Sequence, residues 1–549
     1  MRSRLVVRRI ARSPPPRPHS PLCRRAWSSH STANSVKARP VLPFLAAPKT
    51  SPSVARSFTS ERKRWLRHEA KLVVRYTVSL WGIIAAVLVI NFALGEEKNE
   101  RDFPTPPEWG HMTRKFLRDA NKARDPSDGT VDWATALGLA RAAVLRLQAP
   151  SLEGQDVTKL SKLEDPTLEN PDEFIHCDIS AKSEEWRRGY FEAMMLAAKA
   201  AEHVDGWLRD RTRNLVCPPE FVIGPSNPRP RPIPAGSPHA PREEDCEQAF
   251  PTADNWYMKL LATKGLAPRQ TMEATLEYAG YLEYKGQLEG AESLYNMALA
   301  EATQGMPPFS LPYDPKTLVL KDGVAPASMN ILDALTAIAN FKARNGNVSS
   351  ALPMYISLLK TRRTLSDTPP AAPRQPRKRL SLYQQITAFF TPPEYPPPPP
   401  SGFQPPWRSP KERCQEASLL LNIGEVLYAT SSKSEGLAWT RDGVDLAEEQ
   451  LRALGSGSTE TEAKKSCREC LGVGLSNWST MVSRLAFAEE EKKKYGSKST
   501  MFSLWSGAKE PESRWAAEEA VVKERLRRTK ELMEDLTPPE SGIASWFRA

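Results

Sequence analysis

The sequence predicts an all-α protein: a single N-terminal transmembrane helix followed by a solenoid of helical hairpins with Pro-rich insertions. Three observations carry that expectation. Tyr76–Leu94 (YTVSLWGIIAAVLVINFAL) runs nineteen residues without a formal charge, about the helical length that crosses a bilayer core. Downstream, a four-residue pattern opening with two small residues recurs three times at increments of 12, 4 and 3. The 50 prolines of the 549-residue chain gather in stretches such as Pro218–Pro241 and Ser366–Pro410, which break helices rather than extend them.

Residues 1–58 are rich in Arg, Ser and Pro and open with MRSRLVVRRIARS. They hold ten Arg, two Lys and no acidic residue, the composition of a mitochondrial transit peptide. The run Arg56-Ser57-Phe58 places the expected cut after Phe58. The same residues explain the basic balance. A formal charge of +11 and pI near 9.2 suggest nucleic acid or anionic lipid as partner. The first 58 residues account for +12, so the rest sums to −1 and no nucleic-acid partner is expected.

Residues 59–75 form a basic segment with Arg62, Lys63, Arg64, Arg67, Lys71 and Arg75. Beyond the span, residues 76–94, come Glu96, Glu97, Glu100 and Asp102. Basic flanks stay on the matrix side, so the expected location is the mitochondrial inner membrane, single-pass, N-terminus in the matrix and C-terminal domain in the intermembrane space. With one span there is no bundle around a midplane site, which excludes a transporter.

Residues 95–265 read as an N-terminal helical region with Pro-rich loops. A proline-stiffened turn leads into a basic helix carrying Met112, Phe116 and Leu117, suited to rest on the membrane or to cap the helices downstream of it. Val131–Gln148 places Trp133, Leu137, Ala140, Val144 and Leu147 at helical spacing. A second helix is expected over about Ala181–Arg213, striped by Trp186, Tyr190, Met194, Ala197, Ala201, Val204 and Leu208.

The repeats occupy residues 266–365 and 411–510. Ala279, Ala291, Tyr295 and Ala298 form the first copy, Ala339, Ala351, Tyr355 and Leu358 the second, and Gly424, Gly436, Thr440 and Gly443 the third. A turn residue stands seven past each first member: Gly286, Gly346 and Ser431. Small residues at these offsets let two antiparallel helices approach closely, and the large one fills the gap toward the next pair. The arrangement resembles the tetratricopeptide repeat. It departs from that family's period of about 34, because residues 291, 351 and 436 are 60 and 85 apart, so two insertions interrupt it. The Pro-rich insertion 366–410 reads as an excursion that packs no core, either a solvated linker or a docking arm through Tyr383, Phe389 and Phe390. Ala463–Glu489 is a helix pair or one long helix with Cys470, Leu475, Trp478, Val482 and Leu485. Residues 511–549 contain a capping helix, Trp515–Leu536, and a tail.

Catalytic patterns are absent from the sequence. It has no Gly-Lys-Ser/Thr phosphate loop, His-Glu-x-x-His or Gly-x-Ser-x-Gly, and Gly472-Val473-Gly474 lacks the third glycine of a dinucleotide loop. His68, His111, His176, His203 and His239 share no period. Cys467-x-x-Cys470 is either a redox pair, half a zinc site, or two small buried residues on one helix face. The expectation is a protein with no cofactor, no metal, no small-molecule substrate and no enzymatic activity.

The presequence, the single span, the Phe103-Pro104-Thr105-Pro106 turn before Glu108-Trp109, and the blocks EWGHMTRKFLRDA, ERCQEASLLLNIGEVLYA and GLAWTRDGVDLAEEQ together resemble a known family. These are the fungal inner-membrane tetratricopeptide-repeat adaptors of the i-AAA protease. The resemblance implies a protein that binds unfolded or misfolded intermembrane-space clients and recruits them to the AAA protease of the inner membrane. Stacked hairpins form a groove lined by the first helix of each pair, and the register nominates Glu277, Tyr281, Asn340, Phe341, Asn422 and Glu425 for it. The alternatives are a scaffold or assembly factor for a respiratory complex and, less economically, a redox or metal enzyme centred on Cys467 and Cys470.

Overall fold

The computed structural model describes residues 60–126, 130–160, 174–233, 239–323, 326–369, 395–455, 460–496 and 514–535. The expected transit peptide and the aromatic residues Tyr383, Phe389 and Phe390 lie outside the described residues. Thirteen α-helices and five short strands form the described part, so the protein is predominantly helical. Packing divides the chain into two units, one comprising residues 1–104, 207–249 and 390–394, the other the remainder.

The first unit contains helix α1, Ser60–Asp102. It includes the whole apolar stretch and runs on at both ends, 43 residues in all. Among the described residues it is the one helix long and apolar enough to cross a membrane, and none of its apolar window is buried. The unit also holds a three-stranded antiparallel sheet, ordered β4-β3-β5, with β3 at Leu208–Asp210, β4 at Leu215–Cys217 and β5 at Cys246–Gln248. Leu208 pairs with Cys217 on one side and Gln248 on the other. The β3–β4 turn is tied by buried Asp210, which accepts from Thr212 N (2.8 Å) and Thr212 Oγ1 (2.6 Å).

These strands correct the expected helix over 181–213. Helix α4 spans Glu184–His203 and stops there. Asp205-Gly206 ends it, with Gly206 at φ +72°, a conformation that costs a side-chain-bearing residue about 1–2 kcal/mol.

In the second unit, α2 (His111–Arg124), α3 (Trp133–Gln148) and α4 pack on one another. Their core is Leu117, Leu137, Ala140, Val144, Leu147, Tyr190, Met194 and Ala197. Basic α2 therefore caps a bundle. Strands β1 (Thr158–Lys159) and β2 (Cys177–Asp178) add one small antiparallel pair. After α5 (Ala253–Leu261) come three helix pairs: α6 (Pro268–Tyr284) with α7 (Leu288–Ala302), α8 (Met329–Arg344) with α9 (Val348–Arg363), and α10 (Pro410–Thr430) with α11 (Lys433–Leu454). Each pair also touches its neighbour, α7 on α8 and α9 on α10.

The first two pairs turn identically. Gln287 N bonds the Leu282 carbonyl (2.9 Å) with Gly286 at φ +77°, and Asn347 N bonds the Lys342 carbonyl (2.9 Å) with Gly346 at φ +78°. This is the six-to-one closure that favours glycine. The third turn differs: Ser431 takes φ −135°, and Ser432 caps α11 by accepting from Glu435 N at 3.3 Å.

All twelve residues of the 12-4-3 register are buried: Ala279, Ala291, Tyr295, Ala298, Ala339, Ala351, Tyr355, Leu358, Gly424, Gly436, Thr440 and Gly443. In the third pair glycine and threonine act together. A Cβ on Gly424 would stand 2.4 Å from Thr440 Oγ1, and one on Gly436 would stand 2.4 Å from Tyr428 N and 2.6 Å from the Gly424 carbonyl oxygen. The third pair thus crosses at closer range than an aromatic residue at 440 would allow. Thr440 satisfies its buried hydroxyl on the Gly436 carbonyl (2.9 Å).

Thr461–Gly496 is one long helix, α12, and Arg514–Asp535 forms α13 on its flank. Arg525 Nη2 bonds Glu448 Oε2 (2.7 Å) and Trp478 Nε1 donates to Glu518 (3.2 Å), fixing α13 to α11 and α12.

Candidate functional site

The first helices of successive pairs lie side by side, and polar side chains link each to the next along their outer surface. Between α4 and α6, Lys199 Nζ stands 2.7 Å from Glu277 Oε1. Between α6 and α8, Arg344 donates to Glu283 at 2.7 and 2.8 Å. Between α8 and α10, Asn422 Nδ2 donates to Asn340 Oδ1 (3.0 Å), which also accepts from Tyr355 OH (2.8 Å). Between α10 and α12, Asn477 Nδ2 donates to Glu425. Four of the six residues nominated for a groove, Glu277, Asn340, Asn422 and Glu425, therefore take part in polar links between successive helices, called the polar row below.

Tyr281 and Phe341 stand outside the row, and here the structure corrects the register. Tyr281 is buried against Tyr257 (ring centroids 6.3 Å) and donates to Asp205 (3.2 Å). Phe341 is buried against Tyr295, centroids 5.0 Å apart. Both fill space between helices. Lys199 and Asn477 belong to the row although repeat spacing did not nominate them, because α4 and α12 lie outside the three copies of the 12-4-3 pattern.

Upstream the row is acidic. Glu192 keeps contact with water, yet crowding by neighbouring atoms desolvates its carboxyl. Helped by Glu273 and opposed by Arg188 and Arg124, this pushes it up to about 7. Desolvation also raises Glu273, against the pull of Lys199 and Arg269. At the other end partial desolvation raises Glu425, while the bond from Asn477 lowers it. Paired carboxamides such as Asn340 and Asn422 can both donate to and accept from a peptide backbone.

Beside the row runs part of the Pro-rich insertion. Residues 395–409, expected to leave the array, lie against it. Arg188 Nη2 donates to the Pro396 carbonyl (2.5 Å), Asn330 N donates to the Gly402 carbonyl (3.1 Å), and Arg408 pairs with Glu416 (2.6 Å). The joint between the second and third pairs is ionic. Buried Arg362 meets Glu412 and stands 3.5 Å from Asp333, which pairs with Arg269 at 3.0 Å.

Cys467 and Cys470 are not partners. Cys467 is disulfide-bonded to Cys414, joining α12 to α10 with Cα atoms 5.1 Å apart. Cys470 is a buried free thiol whose burial pushes its pKa up to about 12, making it a poor nucleophile. Among the described residues no group of three or more His, Cys, Asp or Glu side chains is placed to hold a metal. Neither the family models nor the curated proteins compared with this chain give a match.

Proposed function

We propose that this chain is a membrane-anchored tetratricopeptide-like array that holds extended segments of unfolded proteins along the polar row of its first helices. In this reading it sits in the mitochondrial inner membrane, faces the intermembrane space, and hands its clients to the i-AAA protease. The observation that carries the peptide-binding part is the alignment of Glu277, Asn340, Asn422 and Glu425 on successive helices. Asn340 Oδ1 accepts from both Tyr355 OH and Asn422 Nδ2, which leaves its NH2 as the donor of that side chain. Location and protease partner rest on the basic presequence composition, the charge asymmetry about the span and the family resemblance.

The test is affinity purification of the tagged full-length protein from mitochondria in mild detergent, with quantitative mass spectrometry, alongside Asn422→Ala. Stoichiometric recovery of an AAA protease with varied substoichiometric clients is expected from wild type. The variant should keep the protease and lose clients. Recovery of respiratory-complex subunits without the protease would replace the adaptor reading by the scaffold.

A further inference from the structure

Pro396–Pro400 is five consecutive prolines. Each has its φ fixed near −65° and no N–H to donate, so the run is committed to an extended polyproline II helix. Such a run in a free linker samples many orientations; this one is fastened at both ends. Upstream, the Arg188 guanidinium lies 4.2 Å from the Tyr395 ring centroid, its Nε donates to Tyr395 OH (3.2 Å), and its Nη2 donates to the Pro396 carbonyl (2.5 Å). Downstream, Asn330 holds the Gly402 carbonyl with its backbone N–H (3.1 Å) and the Ser401 carbonyl with Nδ2 (3.1 Å). Gly402 is buried at φ +75°, and a Cβ there would stand 1.9 Å from Asn330 Oδ1, so only glycine seats at that anchor.

The span between anchors has little slack. Seven residues at about 3.1 Å each reach about 22 Å. The anchors sit on α4 and α8, two helix spacings of about 8–10 Å apart across α6. Between the fastenings all five prolines are exposed. Among the described residues no donor reaches the carbonyls of Pro397–Pro400. The contacts are all made by the ends, and the middle is presented to solvent.

From this we infer that Tyr395–Gly402 is a preformed polyproline II docking site on the array, for a partner domain with an aromatic-lined groove. Rings of the partner pack between the prolines and its side-chain donors meet the unpaired carbonyls. Because Arg188 and Asn330 already order the strand, the partner meets little of the usual ordering cost. This inference does not depend on the client-binding reading of the polar row.

The probe is an isolated WW domain selected for binding the free peptide YPPPPPSGF, residues 395–403, titrated against the full-length protein in nanodiscs by fluorescence anisotropy. The full chain should bind several-fold more tightly than the peptide. Replacing Pro397, Pro398 and Pro399 with Ala should abolish binding without changing the melting temperature. Arg188→Ala should reduce the affinity to that of the free peptide. A probe that binds the peptide but not the full chain would show the strand to be occluded and overturn the proposal. Equal binding by the wild-type and triple-alanine chains overturns it as well.

Discussion

Gly436 shows how far one hydrogen atom decides a packing distance. Its missing Cβ makes room for Tyr428 N and the Gly424 carbonyl, backbone groups that cannot rotate away. Gly436→Ala should therefore cost about 2–3 kcal/mol, in the range of overpacked cores. Gly472→Ala, on α12 with nothing within 4 Å of the added carbon, should stabilise by about 0.5–1 kcal/mol. Urea midpoints of the two variants check both signs. Glu192 makes a second prediction at this scale. Its carboxyl is held protonated up to about pH 7 in the fold against a reference of 4.5 in the unfolded chain, so the folded state binds the extra proton. Its contribution to stability is complete below about pH 4.5 and is lost as pH rises through 7. Glu192→Gln should melt like wild type at pH 4 and above it at pH 8, with part of the slope that remains set by Glu273 and Glu425. A wild-type melting temperature that does not fall between these pH values would show that the fold does not raise the Glu192 carboxyl.

Elements were legible in the sequence wherever the cause was local. The turns at Gly286 and Gly346 and the packing positions of all three pairs follow from residues within one hairpin. The α4 terminus was also written locally, in Asp205-Gly206, but a continuing apolar stripe through Val204 and Leu208 obscured it. The row on the first helices was half legible. Register shows that a residue leaves the intra-pair seam, but not whether it stays half-exposed in a polar link, as Asn422 does, or is buried against a neighbouring helix, as Phe341 is. The strand 395–402 could not be read, because its fastenings Arg188 and Asn330 lie far away along the chain and follow no period. Pairing of Cys414 with Cys467 was hidden for the same reason, since the nearer Cys470 draws the eye. That bond ties α10 to α12 across 53 residues, which should contribute about 2–4 kcal/mol. Thermal melts with and without dithiothreitol should show a reductant-sensitive transition in wild type and Cys470→Ala, and none in Cys467→Ser.

The whole molecule combines one exposed apolar helix with an array that carries its polar row on the first helices. Under the proposed topology, proteinase K should spare a C-terminal tag in intact mitochondria and remove it once the outer membrane is ruptured. Protection of the tag in ruptured mitochondria would invert the proposed topology. The buried 12-4-3 positions hold each pair, whereas the row and the proline strand lie where substitution leaves the core intact.

The joint between the second and third pairs has a mechanical consequence. Arg362 and Glu412 are both buried, in line with Asp333 and Arg269. Parting the pairs leaves Arg362 with Asp333 on its own side but strips Glu412 of its partner in a buried site, at about 3–5 kcal/mol. If the array is pulled from one end, this boundary resists until the ions hydrate. The faces that open there then carry charge at their centres, so they wet and repel strangers. A fracture along such a plane closes best in its original register, where Glu412 again meets Arg362.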